Sequence, residues 1–109
     1  KALDYYEQAW EVSDREDAQT RIGYLVAMGN MYVELGKYDQ AVLTYQKALD
    51  LGPSSTNLWR IEETLARVYL LMDDIPNAIL HANAALEVAP EDQIERISKW
   101  IDEINNSTH

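Results

Sequence analysis

Cysteine is absent from these 109 residues, which excludes disulfides and thiolate metal sites. Long apolar runs are absent too: none approaches the roughly 18 residues that a membrane-spanning helix needs, and no secretory leader stands at the start. Basic residues are few, with 9 Lys and Arg against 19 Asp and Glu, for a formal net charge of −10. The deficit is uneven. Residues 1–20 carry −4, residues 21–72 carry 0, residues 73–85 carry −2 and residues 86–109 carry −4. Affinity for phosphate backbones and anionic membrane surfaces comes from clustered Lys and Arg, so neither nucleic acid nor membrane insertion is expected.

Chemistry-bearing motifs are missing as well. No Ser-centred elbow, phosphate loop or Cys-His set occurs. His81 and His109 have no metal-ligand company in the sequence, and the adjacent carboxylates Glu62-Glu63 and Asp73-Asp74 point in different directions on a helix or at its end. Asp14-Arg15-Glu16-Asp17 lacks the turn glycine of a calcium loop. A catalytic site needs a convergent nucleophile, base and stabiliser, so no catalytic residues, no metal and no cofactor are expected, and the segment reads as a non-enzyme.

Glycine and proline are scarce, with 4 and 3 residues, and several of them punctuate the chain. Apolar residues recur at helical spacing in six segments, and no segment of useful length alternates at period two. The expected helices are 1–12, 17–35, 38–51, 56–72, 76–88 and 91–104. Gly36 follows the second, Gly52-Pro53 closes the third, and Ser54-Ser55-Thr56 offers caps to the fourth. Asp74 precedes the fifth, and Pro90 opens the sixth with Glu91 and Asp92 in its first turn.

The chain also repeats itself. Leu25-x2-Met28-Gly29-x2-Tyr32 is followed by Gly36, then Ala41-x3-Tyr45-x2-Ala48, then Pro53. The same frame returns 37 residues later as Glu62-x2-Leu65-Ala66-x2-Tyr69, Asp73, Ala78-x3-Ala82-x2-Ala85 and Pro90. The small residues let helices approach closely, Tyr32 and Tyr45 fill the space left between them, Gly36 allows a tight reversal, and Pro53 stops the helix before the next pair. Ala2-x3-Tyr6-x2-Ala9 aligns with Ala41-x3-Tyr45-x2-Ala48, which makes the first helix the second half of a truncated pair.

These residues resemble the tetratricopeptide repeat, a helix-turn-helix unit with a W-x2-L-G-x2-Y…A-x3-F…P pattern. The Leu25 to Pro53 unit matches with Leu for Trp, Met for Leu and Tyr for Phe, and the Glu62 to Pro90 unit is looser. The resemblance covers about 2.5 repeats. It implies an all-α fold of about six helices, with antiparallel helix-turn-helix repeats stacked in a right-handed superhelix. As one domain over 1–109, the chain would divide into a half-repeat at 1–14, repeats at 17–53 and 56–90, a capping helix at 91–104 and a flexible tail at 105–109. The capping helix sets Ile94, Ile97, Trp100, Ile101 and Ile104 on one side. The tail holds two overlapping glycosylation sequons in Asn105-Asn106-Ser107-Thr108, and Trp59 and Trp100 read as core or inter-helix contacts. With Lys1 in a helical stretch and no initiator methionine, the chain reads as a piece of a longer protein.

In the family, the stripe opposite the packing face lines a concave groove that holds peptide segments. Here that stripe includes Val26, Asn30, Val33 and Glu34 on the second helix and Arg60, Glu63 and Arg67 on the fourth. These are the expected peptide-binding residues, with Asn30 suited to hydrogen-bonding a peptide backbone. Arg60, Glu63 and Arg67 also have the spacing of an intrahelical ion-pair ladder. Repeat domains that bind the C-terminal carboxylate of heat-shock chaperones use a basic clamp on this stripe. Asn30 and Arg60 fit it, but Val26 and Thr64 stand where cations would be, so a chaperone tail is not the expected partner.

The resulting expectation is a protein–protein interaction module that docks a peptide segment and serves as adaptor or scaffold within a larger protein. The alternatives are a structural spacer or self-association segment, or a regulatory domain attached to an enzyme elsewhere in the parent chain. Helix 1–12 lacks the helix that would cover it, so weak self-association through Leu3, Tyr5, Tyr6 and Trp10 is also expected.

Overall fold

The breaks in the apolar pattern become helix ends. A computed structural model describes residues 2–107, and among them there are six α-helices, one short 3-10 turn and no strand. The helices are α1 (Ala2–Glu11), α2 (Ala18–Glu34), α3 (Tyr38–Asp50), α4 (Ser55–Leu71), α5 (Ile75–Val88) and α6 (Glu91–Ser107), with the 3-10 turn at Ser13–Arg15 between α1 and α2. The fold is all-α and built from helix-turn-helix repeats.

Each boundary has a local cause. Asp17 caps α2 by accepting the Thr20 N–H at 2.7 Å, and that bond holds its carboxyl below the usual carboxylate range. Asp74 caps α5 in the same way, accepting from the Asn77 N–H at 3.3 Å and from the Asn77 side-chain amide at 2.8 Å.

The C-terminal ends of α2 and α4 are built alike. After α2, the Gly36 N–H reaches the Val33 carbonyl at 3.0 Å and the Lys37 N–H reaches the Tyr32 carbonyl at 2.8 Å. After α4, the Asp73 N–H reaches the Leu70 carbonyl at 3.0 Å and the Asp74 N–H reaches the Tyr69 carbonyl at 2.8 Å. Both are Schellman ends, which need one residue in the left-handed region. Gly36 supplies it at φ 74°, and in the second repeat Asp73 must adopt φ 60°. That conformation is strained for a residue with a Cβ, and a carboxylate beside a helix C-terminus is also disfavoured. Asp73→Gly is therefore expected to raise stability by about 0.5–1 kcal/mol in urea denaturation. A loss of stability would mean that the Asp73 side chain contributes more than its backbone strain costs. The end of α3 uses Gly52 at φ 76°, but the next residue is Pro53, whose missing N–H leaves only the Gly52 N–H to Leu49 carbonyl bond at 3.1 Å.

The chain divides between Ser54 and Ser55 into two compact units. In the first, α1 and α3 each pack on α2. Ile22, Leu25, Met28 and Gly29 of α2 are buried, as are Ala41, Val42, Thr44, Tyr45 and Ala48 of α3. The helices meet closely at Gly29, where an added Cβ would lie 2.5 Å from Cε1 of Tyr45. Thus the small residue on one helix admits the large ring from the next. The Tyr45 hydroxyl donates to Asn30 Oδ1 at 2.5 Å, and burial pushes its pKa up to about 12.

By contrast, α1 has no buried residue, and Tyr5 is 65 % exposed. It is tied to α2 by polar contacts: the Tyr32 hydroxyl donates to Glu7 at 3.1 Å, and the Arg21 guanidinium lies 4.4 Å from the centre of the Trp10 ring. The buried Ser13 hydroxyl donates to the Trp10 carbonyl and accepts from Arg21 Nε, at 2.6 and 3.1 Å.

In the second unit, α4 packs on α5 and α5 on α6. Ala78, Ala82 and Ala85 form the fully buried stripe of α5. Where the first unit has Tyr45, the matching residue here is Ala82, and Ile97 and Ile101 of α6 join Trp59 and Ala66 around it. Three of the five residues expected on the apolar side of α6 are buried, namely Ile97, Ile101 and Ile104, whereas Trp100 is half-buried and Ile94 is exposed. The helix runs to Ser107, three residues beyond the expected 104. Its last turn starts from the buried Ile104, whose carbonyl accepts from the Ser107 hydroxyl at 2.9 Å. Lys1 and the Thr108-His109 part of the expected tail lie outside the described residues.

Candidate functional site

The residues named from the sequence are placed by two helices of the same repeat register, α2 and α4, and each set is described within its own unit. On α2, Asn30 and Glu34 are exposed and Val26 and Val33 half-buried, while Leu25, Met28 and Gly29 on the same helix are buried. Asn30 is exposed yet engaged, since its Oδ1 holds the hydroxyl of the fully buried Tyr45.

On α4, Arg60 and Arg67 are exposed, but Glu63 is not. It stands four residues after Trp59 and three before Ala66, both buried, and shares their inward stripe. A carboxylate there must be paired or lose its charge. Arg96 of α6 supplies the main partner, with Nη1 and Nη2 donating to the two Glu63 oxygens at 2.9 and 2.8 Å. Arg67 Nη2 donates to Oε2 at 2.6 Å. The Arg96 fork is the largest influence holding the Glu63 carboxyl below the usual range, with Arg67 adding to it against the cost of burial.

The expected ladder is therefore half formed: Glu63 pairs with Arg67, and its other cation is Arg96, 33 residues away, instead of Arg60. With both oxygens in use and only 10 % of its side chain exposed, Glu63 positions the two arginines and offers little to a ligand. Arg60 instead has its guanidinium 5.5 Å from the centre of the Trp59 ring. It borders a cleft of about 380 Å³ lined also by Trp59, Val88, Pro90, Asp92 and Gln93.

Arg96 escaped the sequence reading, as did the arginine platform on Trp100. The Arg67 guanidinium sits 4.7 Å from the centre of the Trp100 ring. The available signal was the Trp59-Glu63-Ala66 spacing, which turns Glu63 inward and so demands a cation. His81 has polar and aromatic neighbours that the spacing did not reveal. Its Nδ1 is 2.7 Å from Glu62 Oε1, and its ring stacks on Tyr69 at 5.4 Å between centres. Glu62, in the position where the consensus has tryptophan, thus serves as a polar link between α4 and α5.

The depressed Glu63 carboxyl makes stability depend on pH. A folded-state pKa below the unfolded one adds stability above the unfolded value, and that gain is lost as pH falls through the folded value. Glu63→Gln should cost only about 1–2 kcal/mol near pH 7, because both arginines are about half exposed and solvent screens their pairing with Glu63. The difference from the parent chain should shrink as pH falls below 4.5, the ordinary value of a glutamate carboxyl. Urea denaturation at several pH values checks this, and a pH-independent difference would show that the pairing contributes nothing net.

Among the described residues no group of three metal-ligating side chains occurs, and no helix is long and apolar enough to cross a membrane. Paired helices in a recurring frame, closed by matching Schellman ends, define a helical-repeat protein. Residues 29–60 match the family model described as TPR repeat, from Gly29 in the middle of α2, through α3, to Arg60 in α4. Residues 29–60 are thus similar to a tetratricopeptide repeat, a likeness that supports a protein–protein interaction module in general. A search of curated proteins found no match.

Proposed function

We propose that the chain docks a peptide segment of a partner protein through side chains of α2 and α4, and that it serves as an adaptor or scaffold. The TPR repeat match over residues 29–60 carries this reading, because a repeat of this kind spends its motif residues on packing and leaves the rest of the first-helix surface to partners. Val26, Asn30, Val33 and Glu34 would contact the peptide from α2, and Arg60 and Arg67 from α4. Glu63 would hold Arg67 in place. The exposed set mixes an amide, cations, an anion and part-exposed valines, a combination suited to reading both backbone and side chains.

Peptides selected by display against the 109-residue chain should lose affinity about tenfold or more on Asn30→Ala or Arg67→Ala. Asn30 also anchors the Tyr45 hydroxyl, so Tyr45→Phe is the necessary companion: it removes the same hydrogen bond without altering an exposed side chain. Equal losses from Asn30→Ala and Tyr45→Phe would assign the effect to packing. Chemical-shift changes confined to α3, α5 and the termini would reject the proposed surface.

A further inference from the structure

We propose that Arg67 and Arg96, held around the Glu63 carboxylate, form a docking point for an acidic side chain of the partner polypeptide. This rests on the reading of the chain as a peptide-binding module and names the chemistry that one part of it selects.

The two cations share one anion. Arg67 gives a single N–H to Glu63 and lays its guanidinium on Trp100, while its side chain remains 55 % exposed. Arg96 gives Nε to Gln93 and both terminal nitrogens to Glu63, with 45 % of its side chain exposed. A guanidinium carries five N–H donors, so Arg67 keeps most of its fork for another acceptor. Stacking and the Glu63 bond hold that fork in place before any ligand arrives, which lowers the side-chain entropy lost on binding. An aspartate or glutamate would meet a preset, charge-assisted pair of donors.

The surroundings sharpen the choice. Glu95, on the same helix as Arg96, pairs with Lys99 at 3.4 Å, so this cluster keeps an excess of one positive charge in a chain of net charge −10. That overall charge repels polyanions such as nucleic acid. It tolerates one carboxylate in an otherwise neutral peptide, since solvated charges are screened beyond about 8 Å at physiological salt.

The test uses display-selected peptides that contain one Glu or Asp, each paired with its Gln or Asn counterpart, in fluorescence polarisation with the 109-residue chain. The acidic form should bind about tenfold tighter, and Arg67→Ala should erase the difference. Should thermal melting show that Arg67→Ala is unfolded, Arg67→Lys takes its place: it keeps the charge, loses the guanidinium over Trp100, and should remove most of the preference. Acidic and neutral forms that bind alike, with affinity still sensitive to Asn30→Ala, would overturn this inference and leave the peptide-docking reading standing. A preference for the acidic form that survives both Arg67→Ala and Arg96→Ala would overturn it too. No peptide binding at all would reject both.

Discussion

Gly29→Leu is expected to lower stability by about 3 kcal/mol, and Gly29→Ala by about 2 kcal/mol, through overpacking against a ring with no room to retreat. A Cβ at this position would lie 2.5, 2.7 and 2.9 Å from Cε1, Cζ and Cδ1 of Tyr45. The ring is fully buried and its hydroxyl is held by Asn30, so it can move only if α2 and α3 separate or that hydrogen bond breaks. The sign of the effect is what makes the measurement decisive. Alanine is otherwise the better helix former by about 0.5–1 kcal/mol, and at Gly23, where an added Cβ meets nothing within 4 Å, Gly→Ala should stabilise by about that amount. Chemical denaturation of the two alanine variants should therefore move the midpoint in opposite directions. Trimming Tyr45 to Leu should relieve much of the Gly29→Ala penalty, since residues in contact couple non-additively. Stabilisation by both alanine substitutions would mean that the close approach of α2 and α3 does not exist.

Ile97→Ala is the other large loss expected, at about 2–4 kcal/mol, because it deletes a fully buried side chain from the cluster formed with Trp59, Ala66, Ala82 and Ile101. That cluster has little means of closing the resulting void. Ala66 and Ala82 are too small to swing into it. Ile94, one turn earlier on α6, is 41 % exposed and serves as the control, with Ile94→Ala expected to cost less than about 1 kcal/mol. Urea denaturation compares them. Similar losses at the two sites would show that α6 is rotated relative to the arrangement described.

Much of this molecule is legible in its sequence because the determinants are local. Gly36, Gly52-Pro53, Asp74 and Pro90 act within a turn of where they stand, and the helix ends follow them to within one or two residues everywhere except the last, where a buried isoleucine carries α6 on to Ser107. The small-large alternation of Gly29 and Tyr45 is equally visible, since a fixed spacing encodes it. Polar partnerships are different. Glu63 meets Arg96 at a separation of 33 residues, and Glu62 meets His81 at 19. Periodicity tells which way a side chain faces, but not which distant group will face it. Glu63 is also ambiguous on its own helix, since its spacing to Arg60 and Arg67 suggests an outward ladder and its spacing to Trp59 and Ala66 turns it inward. Burial decides in favour of the second. Asn30 shows a further limit: the stripe places it at the surface, yet nothing in the spacing reveals that its amide oxygen is already occupied by a tyrosine from the next helix.

The lack of any buried residue on α1 has a consequence for motion. A helix of 10 residues is too short to persist alone in water, so α1 lasts only as long as its attachments to α2 do. Those attachments are the Tyr32–Glu7 hydrogen bond, the Arg21–Trp10 stack and the Ser13 turn, together with partial burial of side chains such as Tyr6 and Trp10. The free energy needed to release α1 is thus well below that of unfolding α2 and α3, whose contact is made by fully buried groups. Detachment of α1 becomes a fluctuation of the native state. In each such event the side of α2 that carries Arg21 and Tyr32 is briefly bare, and a competing helix could seat there before α1 returns.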